Sequence, residues 1–501
     1  MLKQTAGFLA VFSCLFCFGQ QSFYEGYELP KRTTANNLIN ESLNAVLVTY
    51  YSKDFVNRIV VRAGQTPLHL LNQPVSAEAT DDTYKRSHPL PEKIASLLSK
   101  NYLIGGHFDT RWIVEITRER SSNDFFITET NISTGQSLVT DTIQSNAIEK
   151  IIGCTDRNGA VLLITYLEST NKVCIYKKKA GQNVNKTEIE IVNDGFGKLS
   201  NKILSTEVKT FADIFRKGSF AVYQNNLRYH PLFHSVRTKA YFQKDKLVFT
   251  VNSNNLNTYL ISIHLDDFNY RLQRFVQQDA ASGSYHSSNS LLIDSLLVTA
   301  HFQDKKMLLN LYNTTTEEQL KTLIISNENI GGIATGPLQK TGSFWSKADL
   351  NDETFQNFQA TSATNQLGLS GYIQDSKLYL MFATPFKQII NATTLLNFTL
   401  SAVGTYFINA APNTYGYMLV TFPGVCTSTF IGFPAAVSLS DLNFSQAKGN
   451  YTVWDRLQSQ MQMRNIETEN SHFFYMNGYF YIGYMSERKY HILRFDERGI
   501  E

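Results

Sequence analysis

Charge is scarce in this sequence of 501 residues. Asp, Glu, Lys and Arg make up 18% of it, and the formal net charge is only +3. The 46 basic and 43 acidic residues nearly cancel, so no broad field of one sign is available to attract a polyanion or an anionic bilayer. The one basic run, at 177–179, follows a predicted strand and is interpreted as a solvated turn. Nucleic acid is therefore not a predicted partner.

Cysteine and long apolar runs are also rare. Beyond residue 20 the cysteines are Cys154, Cys174 and Cys426, a sparse and odd set for a disulfide-stapled protein. Cys154 and Cys174 are the only plausible pair, and we favour buried thiols for both. No Cys-x-x-Cys occurs beyond residue 20, which excludes zinc ribbons and thioredoxin chemistry. No later segment offers 18 consecutive apolar residues, so no integral membrane segment is predicted.

Nucleotide and metal motifs are missing too. The sequence has no Gly-rich phosphate loop, no EF-hand loop and no Asp-rich calcium repeat, so neither a cofactor nor a metal site is predicted. His230 and His234 have the spacing of two metal ligands on one helix face. Pro231 and the strand-like residues 235–242 argue against a helix there. We interpret the pair as a loop or a strand entrance.

Two short pairs combine an imidazole with a carboxylate, His107 with Asp109 and His264 with Asp266. Alternate side chains of an extended strand lie on one side, so each pair has the elements of a base and its orienting acid. Both pairs lie at predicted strand ends, where polar turn residues are expected. We therefore favour turns over catalytic dyads.

The first 20 residues predict a secretory signal peptide. Lys3 precedes an uncharged apolar stretch at 8–18 that is too short to span a bilayer, and Gly19 supplies the small residue that a signal peptidase needs. Cleavage near residue 20 or 21, before a Gln, resembles exported proteins of Gram-negative bacteria. A lipid anchor through Cys14 is the alternative. Residues 21–42 are then an N-terminal polar segment, and the location is periplasmic or extracellular.

Aromatic residues, by contrast, are plentiful: 26 Tyr and 34 Phe stand against three Trp. Many lie in a recurring pattern of a tight turn, an apolar strand, a short polar connection and a returning strand, which is typical of antiparallel hairpins. The clearest turns are at Asn158-Gly159, Asp245, Asp294-Ser295, Asp375-Ser376 and Asn477-Gly478. The strand after Asp375 is predicted to return at 395–398, and a weak copy is predicted at 417–420 and 430–431.

The spacing of these turns predicts blades. Asp109 and Asn158 are 49 residues apart, as are Asp245 and Asp294, which is about the length of a four-stranded propeller blade. Two intervals of 87 and 81 residues each allow one blade with an insertion or two blades. The interval of 102 residues before Asn477 fits two blades. Helical insertions are predicted at 91–102, 207–216 and 454–463.

The repeat resembles that of bacterial exported β-propellers. This resemblance covers most of the chain and implies an all-β fold with one propeller domain at 43–501. Seven or eight blades are expected, with six possible, closed by N- and C-terminal strands. The strands near Val46 and Ile59 are predicted to join those near Tyr481 and Ile492 in one blade. β-Sandwich modules in series are the rival architecture.

Five aromatic residues outside the strongest strands are candidates for stacking on a sugar or peptide. They are Tyr223, Tyr229, Trp345, Tyr415 and Trp454. We expect an exported, non-catalytic binding or scaffolding protein of the periplasm or cell surface, with a protein, peptide or glycan ligand. One alternative is a propeller hydrolase or lyase acting on polysaccharide or peptide, with catalytic carboxylates from distant blades. The other is a cell-surface adhesion module.

Overall fold

The computed structural model describes residues 20–25, 34–74, 101–191, 220–224, 238–276, 287–348, 352–385, 430–447 and 471–496, with short gaps inside some ranges. Strands dominate these residues and form seven mainly antiparallel sheets, here numbered I to VII. The chain divides into two units. Unit 1 comprises residues 1–143 and 450–501, and unit 2 comprises residues 144–449. Sheets I, II and VII belong to unit 1, and sheets III to VI belong to unit 2.

Unit 1 holds two regular four-stranded sheets. Sheet I consists of β2 (Thr34–Asn40), β3 (Ala45–Tyr51), β4 (Phe55–Arg62) and β5 (Leu68–Pro74). Sheet II consists of β6 (Asn101–Phe108), β7 (Trp112–Glu119), β8 (Phe125–Asn131) and β9 (Ser137–Ile143). The two sheets pack together through a core that includes Leu38, Leu47 and Ile113.

Sheet VII joins both ends of the described chain, but not through the predicted strands. Its strands are β1 (Gln20–Glu25), β29 (Ser471–Met476), β30 (Tyr479–Ser486) and β31 (Lys489–Asp496). Strand β1 pairs antiparallel with β31, and Gln20 lies opposite Phe495. The strands around Val46 and Ile59 belong to sheet I, so their predicted place beside Tyr481 was wrong. Strand β1 has only two aromatic residues among polar ones, so its sequence gives little sign of a strand.

Unit 2 begins with three sheets built on the same plan. Sheet III consists of β10 (Glu149–Arg157), β11 (Ala160–Leu167), β12 (Lys172–Lys179) and β13 (Asn185–Glu190). Sheet IV consists of β14 (Phe220–Gln224), β15 (Thr238–Phe242), β16 (Lys246–Asn254), β17 (Asn257–His264) and β18 (Tyr270–Val276). Sheet V consists of β19 (Ser288–Ile293), β20 (Leu296–Gln303), β21 (Lys306–Asn313) and β22 (Gln319–Ile325). Strand β14 is a fifth strand of sheet IV and pairs in parallel with β15. We call β15 to β18, and the four corresponding strands of each other sheet, the regular strands, numbered first to fourth in chain order.

Sheet VI is interrupted by insertions. Its strands are β23 (Leu338–Lys340), β24 (Ser346–Ala348), β25 (Gly368–Gln374), β26 (Lys377–Pro385), β27 (Phe430–Ser438) and β28 (Phe444–Ser445). Strand β26 is followed in the sheet by β27, with Lys377 opposite Ser438. The predicted return at 395–398 was therefore wrong, and residues 430–431 belong to this sheet and not to a further blade. Residues 395–398 and 417–420 lie outside the described residues.

Two helices are described, α1 (Ile330–Ile333) and α2 (Asp352–Thr364). Sequence reasoning missed α2, although Asp352 and Glu353 suit the first turn of a helix and Phe355 and Phe358 are spaced to share a face. Both rings are buried, and that of Phe358 lies 5.3 Å from that of Phe433 and 5.9 Å from that of Phe302. Of the predicted helix at 91–102, the last two residues are strand β6, and the rest lies outside the described residues. The predicted helices at 207–216 and 454–463 lie wholly outside the described residues.

The regular strands follow from the sequence in a simple way. In sheet III the residues of β11 are buried along almost the whole strand, whereas β13 is mostly exposed and Ile189 is its one buried residue. A strand with sheets or strands on every side must be apolar throughout, and an edge strand needs only one apolar face. The predicted strand pairs match β7–β8, β11–β12, β16–β17, β20–β21 and β30–β31. The described residues have the predicted all-β fold class and form mainly four-stranded antiparallel sheets.

The tight turns are specified by residues that accept a positive φ angle. Asn158 and Gly159 have φ angles of 51° and 73°, and Asp375 and Ser376 have 50° and 57°. Each pair links two strands with no further residue between them. These are the backbone angles of the two-residue hairpin turn that matches the twist of the flanking strands.

Replacing Gly159 by Ala is expected to lower the free energy of unfolding by about 1–2 kcal/mol, because an L residue is strained at this φ angle. A Cβ atom at Gly159 meets no other atom within 4 Å, so crowding adds nothing. Gly331→Ala is the matched control, since Gly331 also has open space but lies in helix α1. It should leave stability unchanged or raise it by about 0.4–1 kcal/mol in urea denaturation. Equal effects of the two substitutions would contradict the turn assignment.

Candidate functional site

The strands of each sheet end in two rows, one at either end of the strands, and we call each row an edge of the sheet. The connections between strands differ between these two edges. Because antiparallel strands alternate in direction, the turns between first and second and between third and fourth regular strands lie at one edge. Short, hydrogen-bonded turns occupy this edge, which we call the tight-turn edge. The connections between sheets and between second and third strands leave from the opposite edge. At this long-connection edge lie the strand ends that flank the segments 75–100, 192–219, 386–429 and 448–470.

A turn of seven residues recurs at the tight-turn edge, counted from the last residue of the third strand to the first residue of the fourth strand. It joins the third and fourth strands of four sheets, and the residue after the third strand donates its N–H to a carbonyl of the first hairpin turn. The four bonds are Ile132 to Arg111, Leu265 to Asp245, Thr314 to Ser295 and Leu439 to Ser376, at 2.8–2.9 Å. The fifth residue has a positive φ angle in each copy, at Gly135, Phe268, Glu317 and Leu442. The two turns of each sheet are thus fastened to one another.

Neighbouring sheets of unit 2 are linked at the same edge. Arg157 forms an ion pair with Asp266 of sheet IV, and Arg271 of sheet IV forms one with Glu317 of sheet V. Lys321 of sheet V donates to the Asn443 side chain of sheet VI at 3.2 Å. Each cation meets the turn between the third and fourth strands of the following sheet. Ion pairs and a hydrogen bond therefore connect the four sheets of unit 2 to one another at the tight-turn edge.

The predicted histidine–carboxylate pairs belong to these turns. His107 Nε2 lies 3.9 Å from Asp109 Oδ2, but Asp109 Oδ1 accepts hydrogen bonds from the backbone N–H groups of Arg111 and Trp112 at 2.6 and 2.7 Å. Asp266 pairs with Arg157 instead of with His264. Each carboxylate is used to shape or fasten a turn, which agrees with the turn interpretation.

A buried polar network lies at the long-connection edge of unit 2. Its centre is Lys239 on β15, whose Nζ donates to Asn289 Oδ1 at 2.6 Å and to the carbonyl of Ser290, both on β19. Asn289 Nδ2 in turn donates to the carbonyl of Leu367, next to β25, at 2.6 Å. All three side chains, those of Lys239, Asn289 and Ser290, are fully buried. The first regular strands of sheets IV, V and VI are thereby connected near their beginnings.

A second group of side chains extends this network within sheets IV and V. Asn252 Nδ2 donates to Ser290 Oγ at 2.9 Å, and Thr258 Oγ1 donates to Asn252 Oδ1 at 2.8 Å. Asn252 and Thr258 flank the connection between β16 and β17, which also lies at the long-connection edge. We call Lys239, Asn252, Thr258, Asn289 and Ser290 the inner-strand polar network.

Two basic groups here are held towards their neutral forms. Burial lowers the pKa of the Lys239 amine well below its usual range, and burial lowers the pKa of the His301 imidazole to about 4. His301 lies on β20 opposite Ser288, one residue before Asn289. The amine, the carboxamides and the hydroxyl groups are hydrogen-bonded within the protein in a low-dielectric interior, where such bonds are strong.

Of the five predicted stacking residues, only Tyr223 falls in the described part of the chain, and it lies towards the tight-turn edge of sheet IV. Tyr223 lies on β14, where its backbone is opposite that of Tyr241. Tyr229, Trp345, Tyr415 and Trp454 lie outside the described residues, so their predicted role remains a prediction. Tyr229 falls between β14 and β15 in the chain, and Trp345 falls between β23 and β24. The polar network was missed because its members are 50 and 78 residues apart and have no local pattern.

The predicted pair Cys154 and Cys174 consists of two separate buried thiols, on β10 and β12 of sheet III. Burial raises the pKa of the Cys174 thiol to about 11, so it is a poor nucleophile at neutral pH. Within the described ranges, no group of three His, Cys, Asp or Glu side chains is arranged to hold a metal ion. Among the same residues, no helix is long and apolar enough to cross a bilayer.

No protein-family profile matches the sequence, and no curated protein is found to be similar to it. Several solved structures are similar over much of the chain. The WD40 domain of SCAP from fission yeast shares 11% identity, with 73% of this chain and 86% of that one covered and a TM-score of 0.28. Hsv2 of Kluyveromyces lactis shares 8%, with 71% and 74% covered and a TM-score of 0.28. The periplasmic gluconolactonase PpgL of Pseudomonas aeruginosa shares 8%, with 58% and 69% covered and a TM-score of 0.28.

Proposed function

We propose that this chain is an exported binding β-propeller whose ligand site lies at the long-connection edge of unit 2. The observation that carries the proposal is the inner-strand polar network, which connects three sheets at that edge. A fully buried amine with amide and hydroxyl neighbours costs folding free energy, and such groups concentrate at functional sites.

The difference in connections between the two edges supports a binding role. The tight-turn edge is short, capped and fastened from sheet to sheet, as a rigid support should be. The opposite edge carries the long segments, and connecting loops positioned by a rigid scaffold commonly provide binding residues. Trp345 belongs to the segment between β23 and β24, whose flanking strand ends lie at this edge. Aromatic rings there could stack on a sugar or peptide while polar groups below fix its orientation.

A glycan and peptide array tests the proposal. The protein is expressed with residues 1–20, and recovery outside the cytoplasm with an N terminus at residue 20 or 21 supports export. We expect the purified protein to bind one class of immobilised ligand. Trp345→Ala should weaken that binding about tenfold or more, because truncation of a buried aromatic anchor costs at least 1–2 kcal/mol. Tyr270→Ala, at the tight-turn edge, is the matched control and should leave binding unchanged.

The same array distinguishes binder from enzyme. Mass spectrometry of the bound ligands over time should show them intact. Cleavage products would instead support a hydrolase or lyase, and a lack of binding to every ligand would contradict the proposed function. If Tyr270→Ala weakened binding as much as Trp345→Ala, the ligand site would not lie at the long-connection edge.

A further inference from the structure

Sheet IV has one strand more than its neighbours on the side where the first regular strand runs. We call this side, along β10, β15, β19 or β25, the first-strand side of a sheet. Within the described part of unit 2, β10, β19 and β25 are each the last strand on this side. Sheet IV continues past β15 with β14, from Phe220 opposite Thr238 to Gln224 opposite Phe242. Strand β14 therefore fills a position that is outside the common plan of the sheets.

Strand β14 is held in a way that allows it to leave. It pairs with β15 in parallel, in a sheet whose other pairings are antiparallel, and parallel pairing is slightly less stable per residue. The chain reaches β14 through the long connection 192–219 and leaves it through the connection 225–237, so β14 is not part of a hairpin. Short elements at the margin of a sheet open at a lower free energy than its central strands. Release of β14 thus leaves β15 to β18 paired with one another.

The side of β15 that β14 covers has a defined chemistry. All residues of β15 are buried, and a strand at the side of a sheet presents N–H and C=O groups that need partners. An extended peptide supplies those partners by adding a strand, and main-chain hydrogen bonds then give the affinity. Strand β14 shows that this side accepts a parallel strand, with Ala221 opposite Lys239. The space for a peptide is the space that β14 fills.

We infer that the first-strand side of β15 is a binding site for an extended peptide, and that β14 occupies this site as an internal competitor. The site begins at the long-connection edge, where Thr238 starts β15 and Phe220 starts β14. This inference rests on the proposed function and makes an extended peptide its ligand. Because β14 is tethered, its effective concentration beside β15 is about millimolar, so a free peptide at micromolar concentration competes poorly.

Fluorescence polarisation with a labelled peptide tests the competition. The probe is a fluorescein-labelled synthetic peptide with the sequence of residues 218–226, which contains the whole of β14. Ala221 and Val222 are both replaced by Pro in the protein, because the N–H groups of adjacent strand residues point to opposite sides and Pro removes both. We expect this variant, Ala221→Pro with Val222→Pro, to bind the probe at least about tenfold more tightly than the wild type does.

Two controls separate competition from a general loosening of the fold. Lys186→Pro with Thr187→Pro puts the same two prolines into β13, the last strand of sheet III on its other side. This variant should bind the probe as weakly as the wild type does. A second probe, with Pro at the positions of Ala221 and Val222, should not bind to any of the proteins.

A photo-cross-link locates the site and needs no substitution in the protein. The wild type should bind the probe at about 1 mM, where the free peptide matches the effective concentration of β14. A photo-reactive group at the position of Tyr223 should then label β15, since Tyr223 is opposite Tyr241. If the proline variant does not fold, this cross-link alone decides the inference.

Three outcomes overturn the inference. They are a folded proline variant that binds no more tightly than the wild type, equal binding of the proline-containing probe, and cross-links that lie outside β15. The first outcome would make β14 a structural strand only. Each leaves the proposed function intact if the array identifies a ligand whose binding Trp345→Ala weakens. If the array also finds no ligand, the proposed function falls with the inference.

Discussion

Replacing Glu115 by Ala is expected to lower the free energy of unfolding by about 3–5 kcal/mol. Glu115 on β7 and Arg58 on β4 form an ion pair between sheets II and I, with Arg58 Nη2 2.7 Å from Glu115 Oε2. Their side chains are only 1% and 0% exposed. Removing the carboxylate leaves the guanidinium charge in an apolar interior, where hydration cannot replace the lost partner. Urea denaturation followed by circular dichroism measures the effect.

The double replacement Arg58→Met with Glu115→Leu separates charge burial from packing. Apolar side chains of similar volume should restore most of the lost stability, since a buried ion pair gains little over a hydrophobic pair. Glu188→Gln is the control for an exposed pair. Glu188 and Lys172 are 3.3 Å apart, and both side chains are about two-fifths exposed, so this change should cost less than about 1 kcal/mol. A small cost for Glu115→Ala, equal to that of Glu188→Gln, would show that Arg58 finds water or another anion.

The hairpins were predictable because their signals are local. Asn158-Gly159 and Asp375-Ser376 combine residues that accept a positive φ angle with apolar strands on either side, and both form two-residue turns. Strand type and turn position are properties of a few adjacent residues, so one sequence suffices to recognise them. The recurring turn between third and fourth strands was missed, since its fixed feature is backbone geometry. Gly135, Phe268, Glu317 and Leu442 occupy the same position and share no side-chain chemistry.

The pairing of distant strands and the polar network were not predictable in this way. Strand β27 pairs with β26 across the insertion 386–429, and an apolar segment inside an insertion cannot be told from a returning strand by its pattern alone. Strand β1 has a largely polar sequence, and its partner is β31. No local sequence pattern marks Lys239 or Asn289. Their burial depends on which sheets are neighbours, and that is known only once the sheets are assembled.

Acidification from pH 6.5 to pH 4 is expected to remove about 3 kcal/mol of stability through His301 alone. Burial lowers the pKa of its imidazole from 6.5 to about 4 in the folded chain. In that window the unfolded chain binds a proton that the folded chain does not, so the free energy of unfolding falls as the pH falls. Below pH 4 both states are protonated, and this contribution no longer changes. The measurement is urea denaturation at a series of pH values between 7 and 4.

His301→Gln removes the titrating group from β20 and should flatten the pH dependence by the same amount, even if the variant is less stable at pH 7. Phe302→Leu is the control, because Phe302 is the adjacent buried residue and does not titrate. It should lower the free energy of unfolding equally at every pH, giving a curve parallel to the wild type. The difference between the wild-type and His301→Gln curves isolates the histidine from every other titrating group, because those groups act on both proteins alike. Parallel curves for the wild type and His301→Gln would mean that the imidazole becomes charged without unfolding, and that water or an anion reaches β20 in the folded state.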